Sequence, residues 1–249
     1  MVDLFYLFLL ALLGSIIALV GGVFFLFNRK WSATLEKYSV PFAAGVLITV
    51  ALLGILPEAI DLVGEGVLLV ILVSFFAAYL FEHMFFGIHH HGVMHYHHRD
   101  YAPVIPLVIL GDSIHNFIDG IAIGASFLIS PGLGLITALS TFFHEVPHEI
   151  GDFGILLKAG WRKSKILTVN VLSASFTIVG AFSLLLFSEN KGAIGMFLGI
   201  STGIFLYLGT IDFLPHADEG FPSRVKAVIP LFIGVLVMAL TILLFPHAD

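Results

Sequence analysis

Residues 106–129 read PLVILGDSIHNFIDGIAIGASFLI, an apolar stretch that is interrupted by Asp112, His115 and Asp119. About 20 mostly apolar residues are enough for a helix to cross a bilayer. An ionisable side chain in hydrocarbon is unfavourable by several kcal/mol unless it is paired, hydrated or bound to a metal. The next apolar stretch holds the similar run HEVPHEIGD at 144–152. The sequence therefore predicts two neighbouring membrane helices with a polar site between them.

The composition of the whole chain supports a membrane location. Of its 249 residues, 59% are hydrophobic and 11% are charged, and the mean hydropathy is +1.06. A soluble globular protein carries about 25% charged residues because its surface faces water. The composition therefore excludes a soluble fold and, for the same reason, intrinsic disorder. The net charge of −6 argues against a nucleic-acid partner. The absence of cysteine removes disulfides and thiolate metal sites.

The hydrophobic pattern predicts an all-α membrane protein, a single polytopic domain over residues 1–249 with eight transmembrane helices. The first apolar segment is longer than the core of a signal peptide and has no basic residue before it, so we interpret it as a retained helix. The eight segments are Leu4–Phe27, Ser39–Ile60, Gly66–Phe86, Pro106–Ile129, Gly132–Leu157, Ile166–Phe187, Ala193–Pro215 and Val225–Leu244.

Basic residues are distributed unevenly among the joints between these segments. Ten of the eleven Lys and Arg lie in the four alternate joints that share one side, and Lys191 lies on the other. Because basic residues accumulate on the cytoplasmic side, this bias predicts that both termini lie outside the cytoplasm of a cell that carries the protein in its plasma or inner membrane. With an odd number of helices the basic residues would be divided between both sides of the membrane, so their uneven distribution also favours eight helices.

The second and seventh segments align with one another at a constant offset of 158. Since the predicted topology runs them in opposite directions, the alignment indicates an inverted repeat of helices 1–3 and 6–8 around central helices 4 and 5. Such repeats, with helices broken by Pro, are typical of secondary transporters. Ordinary Gly and Pro usage in apolar helices is the alternative. The matching pairs are Gly45 and Gly203, Leu56 and Leu214, Pro57 and Pro215, and Ala59 and Ala217.

Helical spacing sorts the polar residues of the two central segments into stripes. Residues four apart lie on one face of a helix, so His115 lies above Asp119, with Asn116 beside them. On the next helix the two adjacent stripes are His144, His148 and Asp152, and Glu145 and Glu149.

Imidazole and carboxylate groups from two facing helices at similar depth predict a divalent-metal site that suits Zn²⁺, Fe²⁺ or Mn²⁺. Because the two helices offer more than four candidate donors, the pattern indicates two adjacent metal positions or a path of exchanging ligands. The alternative is a proton relay or a purely structural polar network, since intramembrane His and acidic residues form these too.

The run His144-Glu145-x-x-His148 also satisfies the pattern of zinc hydrolases, in which Glu acts as general base between two His ligands. An intramembrane zinc metalloprotease is therefore an alternative function. Two features weaken it. Pro147 lies between the paired ligands, in the helix that would have to hold them rigid. A single catalytic zinc would also leave Asp112, Glu149 and Asp152 without a role.

The motif HNFxDG at 115–120, together with HExPHExGD at 144–152, resembles the paired signature of the ZIP (Zrt/Irt-like) metal transporters, in the branch that carries HExPHE. The resemblance extends along the whole chain. It implies a transporter, not an enzyme, that takes zinc, or else iron, manganese or cadmium, into the cytoplasm as its substrate without an organic cofactor. It also implies a binuclear site between the fourth and fifth helices, and homodimers that move the metal by an elevator-like shift.

The resemblance assigns roles to individual positions. Those that match metal ligands are His115, Asp119, His144 and His148. Those that match residues binding or bridging a second ion are Asn116, Glu145 and Glu149. Gly54 stands where many members have His, which removes one donor from the outer part of the pathway. Asp212, which aligns with Gly54 under the internal offset, and His216 are candidate ligands elsewhere along the route. The alternative for both is a polar residue at an interfacial helix end, and we prefer this interpretation for His216.

A His-rich cytoplasmic loop is predicted at 87–105, between the third and fourth helices. Closely spaced neutral imidazoles bind metals weakly and exchange them quickly. The hypothesis is that the loop receives ions that leave the pathway or senses cytoplasmic metal, and a solvated loop without a transport role is the alternative. The segment entering the fourth helix contains His83, His89, His90, His91, His95, His97 and His98.

Overall fold

The computed structural model describes residues 3–85 and 105–245. Within these two ranges every regular element is a helix, as predicted. The predicted His-rich loop at 87–105 lies outside them, apart from Ile105. The helices are α1 (Leu4–Leu13), α2 (Val20–Phe27), α3 (Arg29–Thr49), α4 (Leu56–Val63), α5 (Val67–Phe85), α6 (Ile105–Ile129), α7 (Pro131–Lys158), α8 (Lys163–Ser183), α9 (Lys191–Tyr207), α10 (Leu214–His216) and α11 (Arg224–Leu244), with π-helical segments at Val50–Ile55 and Leu208–Phe213 and a 3₁₀ segment at Leu184–Phe187.

Six helical stretches among the described residues are long and apolar enough to cross a membrane. They coincide with six of the eight predicted segments and support a multi-pass membrane protein. The other two predicted segments are also helical, but α1 and α2 are short and α7 carries the polar run of the predicted site. Eight crossings therefore stay a prediction. The six stretches are Thr34–Val63, Val67–Met84, Ile105–Ile129, Lys163–Phe187, Lys191–His216 and Val225–Leu244.

The prediction of one continuous helix over Leu4–Phe27 is wrong. The regular helix stops at Leu13 and resumes at Val20, and the backbone between them makes irregular turns. Gly14 ends α1 and packs so closely that a Cβ there would lie 2.8 Å from Ile123 Cδ1. Small side chains let the interrupted backbone approach α6, and this contact is not visible in a hydropathy pattern.

The two polar helices, α6 and α7, form a tight hairpin. Ser130 alone separates them, and its Oγ caps α7 by accepting a hydrogen bond from the backbone N–H of Leu133 at 3.0 Å. Pro131 occupies the first turn of α7, where its missing N–H is harmless. Near the tip, Thr137 Oγ1 donates to Ser126 Oγ at 2.8 Å. So short a connection makes the helices antiparallel neighbours, with their polar stretches facing each other.

The predicted repeat has a local structural counterpart. The π-helical segments Val50–Ile55 and Leu208–Phe213 occupy equivalent positions under the offset of 158, and each leads into a helix that begins Leu-Pro. Single π-helical turns are rare in proteins, and those that occur are often located at functional sites. Their occurrence at matching positions supports an internal repeat, while opposite orientation in the membrane stays a prediction.

Helix packing follows the same repeat. α3 packs on α11, and α5 packs on α9. These helices correspond to the predicted segments 2 with 8 and 3 with 7, and the repeat, which relates segment 2 to 7 and segment 3 to 8, converts one pair into the other. A Cβ at Gly45 would overlap the carbonyl oxygen of Leu231 in α11, and one at the equivalent Gly203 would overlap that of Ile71 in α5. Both glycines therefore allow the same close approach of two backbones.

We predict that Gly45→Ala and Gly203→Ala each lower the melting temperature of the detergent-solubilised protein, because overpacking a close helix contact destabilises by about 1–3 kcal/mol. The control is Gly151→Ala in α7, where an added Cβ meets no heavy atom within 4 Å. Since Ala favours a helix over Gly by about 1 kcal/mol, this variant should melt at the same or a higher temperature. Equal melting of Gly203→Ala and Gly151→Ala would contradict the packing described.

Candidate metal site

Four side chains of the α6–α7 hairpin converge within the protein. One potential ligand atom from each lies within 4.8 Å of the others, and the four residues are His115 and Asp119 of α6 and His144 and Glu145 of α7. We call this set the four-donor cluster. Two imidazoles and two carboxylates match the ligand types and the tetrahedral number that zinc prefers.

Contacts within the four-donor cluster run between the two helices. His115 Nε2 lies 2.9 Å from Glu145 Oε1, and His144 Nε2 lies 3.0 Å from Asp119 Oδ2. His144 Nδ1 is 3.0 Å from the backbone oxygen of Ser140, which can only accept a hydrogen bond. A proton on Nδ1 would satisfy this oxygen and would leave the Nε2 lone pair available to a metal ion in the cluster. Metal-binding histidines are commonly oriented in this way.

The donors of the four-donor cluster are buried, and one of their oxygens has no hydrogen-bond partner. Asp119, His144 and Glu145 are at most 1% exposed, and Asp119 Oδ1 has no hydrogen-bond partner among the described residues. A buried polar atom without a partner is destabilising, more so when it is charged. A divalent cation would satisfy these donors and offset the two carboxylate charges.

A second group of donors adjoins the first. Oxygens of Asp112, Glu145 and Glu149 lie within 4.8 Å of one another. Glu145 belongs to both groups and so lies between them. Glu149 is 2% exposed, and neither of its carboxylate oxygens has a hydrogen-bond partner in the described part of the chain. Three carboxylates this close repel each other unless a cation or protons lie between them.

Asn116 stands next to this second group, in a polar chain that links α6 to α8. Its Nδ2 donates to Asp112 Oδ1 at 2.7 Å, and its Oδ1 accepts a hydrogen bond from Thr177 Oγ1 at 2.9 Å. The side chain is fully buried. In this arrangement Asn116 orients Asp112, and its predicted role as a ligand of a second ion stays a prediction.

His148 is the predicted ligand that lies outside the four-donor cluster. Its ring is 4.9 Å from that of His115, centroid to centroid, but its Nε2 is directed to Asp212 Oδ2 at 3.5 Å. Asp212 belongs to the π-helical segment Leu208–Phe213, and Phe213 meets the His148 ring edge-on at 5.0 Å. The structure thus brings His148 close to Asp212, the residue that aligns with Gly54 under the internal offset.

Two further residues noted in the sequence have a clear location. Asp112 had no predicted role as a ligand, although its position one turn before His115 and Asn116 could have placed it on the same face. His216 is partly exposed and pairs with Glu219 at 2.7 Å, and it belongs to neither donor group. His216 therefore lies at a helix end, as the less specific interpretation of the sequence expected.

A cavity of about 1280 Å³ extends from the site to one end of the helices. Its lining includes Asp112, His115 and His148 of the site and also Lys37 and Glu219. Lys37 and Glu219 belong to joints that the distribution of Lys and Arg predicts to be cytoplasmic. The buried donors are therefore connected with the predicted cytoplasmic side.

Known proteins resemble the chain over the region of these motifs. The family described as ZIP zinc transporter matches residues 100–242. Zinc transporter ZIP4 of Mus musculus is 42% identical over 109 residues, which is 44% of this chain and 16% of the relative. Zinc transporter ZIP10 of Mus musculus is 38% identical over 129 residues, 48% of this chain and 16% of the relative. Zinc transporter foi of Drosophila melanogaster is 34% identical over 117 residues, 47% of this chain and 17% of the relative. The chain matches about a sixth of the length of these relatives.

We predict that Zn²⁺ or Cd²⁺ raises the melting temperature of the purified protein, since an ion that binds the folded state stabilises it. Asp119→Asn keeps the shape of the side chain but removes a charged donor, so the metal concentration needed for the same shift should rise by at least about tenfold. His216, which belongs to neither donor group, provides the control, because His216→Asn should respond to metal as the wild type does. An undiminished response of Asp119→Asn would exclude the four-donor cluster as the binding site.

Proposed function

The chain belongs to the ZIP zinc transporter family, whose members are transporters and not enzymes, and we propose that it carries a divalent transition-metal ion, zinc in first place, across the membrane into the cytoplasm. The observation that carries this proposal is the buried four-donor cluster of His115, Asp119, His144 and Glu145. Mixed imidazole and carboxylate ligands suit zinc and also accept Fe²⁺, Mn²⁺ or Cd²⁺.

The proposed site binds two ions. One lies in the four-donor cluster and the other between Asp112, Glu145 and Glu149, so that Glu145 bridges them. Support comes from the two groups of closely spaced donors that share this carboxylate. The second group consists of three carboxylates and has no imidazole. We therefore propose that it binds its ion more weakly and exchanges it faster than the four-donor cluster, which has two imidazoles.

The proposed direction of transport is inward. The ion sheds its water on entering the four-donor cluster, and it leaves past Asp112 and His148 into the cavity. This direction is supported by the cavity's course from the donor groups to Lys37 and Glu219, which lie in joints rich in basic residues. In the same proposal, both termini lie outside the cytoplasm, and the loop at 87–105 receives the released ions.

Close packing supports the proposed elevator-like movement, in which one group of helices carries the ion past another. α6 and α8 interlock, since a Cβ at Gly120 would overlap Thr177 O and one at Gly180 would overlap Phe117 O. α3 with α11 and α5 with α9 form the other tight pairs. We propose that the helices bearing the ligands move as one unit against the second set, within a homodimer.

The protease alternative gains no support. The comparisons match zinc transporters, and the two His of the HExxH motif do not act as a pair, because His144 faces Asp119 and His148 faces Asp212. Glu145 lies within reach of two sets of donors, as a ligand would, and not apart from the metal, as a general base would.

Radioactive Zn²⁺ uptake into proteoliposomes tests the function. The wild type should accumulate zinc, and His115→Ala and His144→Ala should each reduce the initial rate by at least about tenfold because each removes a nitrogen ligand. His216→Asn serves as the matched control and should transport normally. Metal binding without wild-type uptake would instead indicate a sensor, and wild-type cleavage of a membrane substrate that Glu145→Gln abolishes would indicate a protease.

The number of bound ions tests the shared carboxylate. Equilibrium titration with Cd²⁺ should give two ions per wild-type chain. Glu149→Gln should leave one tightly bound ion, because it removes a donor of the second group alone, whereas Glu145→Gln should weaken both. A wild type that saturates with one ion would refute the binuclear proposal.

A further inference from the structure

Thr177 lies on α8, a helix that contributes no residue to either donor group. Its side chain is fully buried, and its Oγ1 donates a hydrogen bond to Asn116 Oδ1 of α6 at 2.9 Å. Serine and threonine within helices often donate instead to the carbonyl oxygen four residues earlier. Ser175 of α8 does so, with its Oγ 2.7 Å from the oxygen of Val171. Thr177 thus directs its proton to another helix, beside the second group of donors.

Close backbone packing fixes the separation between Thr177 and α6. A Cβ at Gly120 would overlap the backbone oxygen of Thr177, and one at Gly180 would overlap that of Phe117. These contacts hold the two helices together through their backbones and do not involve the Thr177 hydroxyl. Removal of the hydroxyl should therefore break the hydrogen bond to Asn116 without changing the spacing of the helices.

The hydrogen-bond partners of Asn116 fix the orientation of its amide. Its Nδ2 lies 3.0 Å from the backbone oxygen of Asp112 and 2.7 Å from Asp112 Oδ1. A backbone oxygen can only accept a hydrogen bond, so the amide nitrogen and not the amide oxygen faces Asp112. The amide oxygen accepts from Thr177 and keeps a second lone pair. Thr177 therefore holds the amide in the rotation that brings its nitrogen to the Asp112 carboxylate.

Asp112 ends this chain of hydrogen bonds and belongs to the second group of donors. Its side chain is partly exposed and lines the cavity, whereas Glu149 of the same group is buried. Packing alone therefore restricts the carboxylate of Asp112 less than that of Glu149, and the bond from Asn116 supplies a further restraint. A ligand that is already oriented loses less conformational freedom when it binds.

We propose that Thr177 is a positioning residue of the second group, which acts through Asn116 to hold the Asp112 carboxylate in place for an ion. This inference rests on the proposed two-ion site, and it extends that site to a helix outside the paired motifs. Thr177 itself is not a ligand. The ion in the four-donor cluster does not depend on Thr177, because neither Asn116 nor Asp112 belongs to that cluster.

Equilibrium titration with Cd²⁺ in detergent tests the proposal. Thr177→Val keeps the shape of the side chain but removes the hydroxyl, so it should weaken binding of the second ion by at least about tenfold. The tight ion should bind within about twofold of its wild-type affinity, since its ligands keep their own hydrogen bonds. Thr177→Ala should give the same result, which keeps the test valid if Val is not accommodated.

Two further variants separate the hydrogen bond from packing. Thr177→Ser retains the donor and should keep the affinity for the second ion within about threefold of the wild type. Ser175→Ala is the matched control, because its hydroxyl bonds within α8 and its loss should leave the binding of both ions unchanged.

Combination with Asn116→Ala shows whether Thr177 acts through Asn116. Because both substitutions break one chain of hydrogen bonds, the double variant should bind the second ion no more weakly than Asn116→Ala alone. A role in packing alone predicts that Thr177→Val lowers the melting temperature without metal and binds the second ion normally.

That result would overturn the proposal. Equal weakening of both ions, equal losses in Thr177→Ser and Thr177→Val, or additive losses in the double variant would also overturn it. A wild type that binds a single ion would instead refute the two-ion site, and this inference with it.

Discussion

Ionisable side chains within helices that lipid surrounds must find their partners inside the protein, because hydrocarbon offers them none. In this chain the α6–α7 hairpin carries most of those groups, and the positions of the other helices follow from the need to enclose them. His144 Nε2 lies 3.0 Å from Asp119 Oδ2, and His115 Nε2 lies 2.9 Å from Glu145 Oε1, so each imidazole faces a carboxylate of the other helix. The buried atoms that remain without a hydrogen-bond partner among the described residues include carboxylate oxygens of Asp119 and Glu149, whose charge a divalent cation would offset.

Enclosing the hairpin requires helices that approach unusually closely. Gly120 and Gly180 let α6 and α8 touch through their backbones, and Asn116 and Ser113 add polar links to Thr177 and Ser173. These contacts hold α6 in one rotation, so that His115 and Asp119 face α7. Small residues and a few buried hydrogen bonds stabilise membrane helices in place of the hydrophobic effect, which is weak between apolar helices in lipid.

The two segments related by the offset of 158 have similar backbone conformations but carry different side chains. π-Helical segments and close glycine contacts recur at the same offset, whereas Asp212 on one side corresponds to Gly54 on the other. The cavity lies on the side of Asp212. The two segments therefore have matching backbones but different side chains, a carboxylate at Asp212 and none at Gly54.

Composition and periodicity alone determined much of this protein. They predicted a helical membrane protein, α6 and α7 to within one residue at each end, and the polar stripes that face each other, because these features depend on neighbours along one helix. The tertiary structure decided the rest. The break after Leu13, the joining of Asp112 to Glu145 and the turn of His148 towards Asp212 all arise where distant segments pack together. Spacing within a helix specifies which face a side chain occupies, whereas its partner depends on the rotation and depth of the opposing helix, which packing of the whole bundle sets.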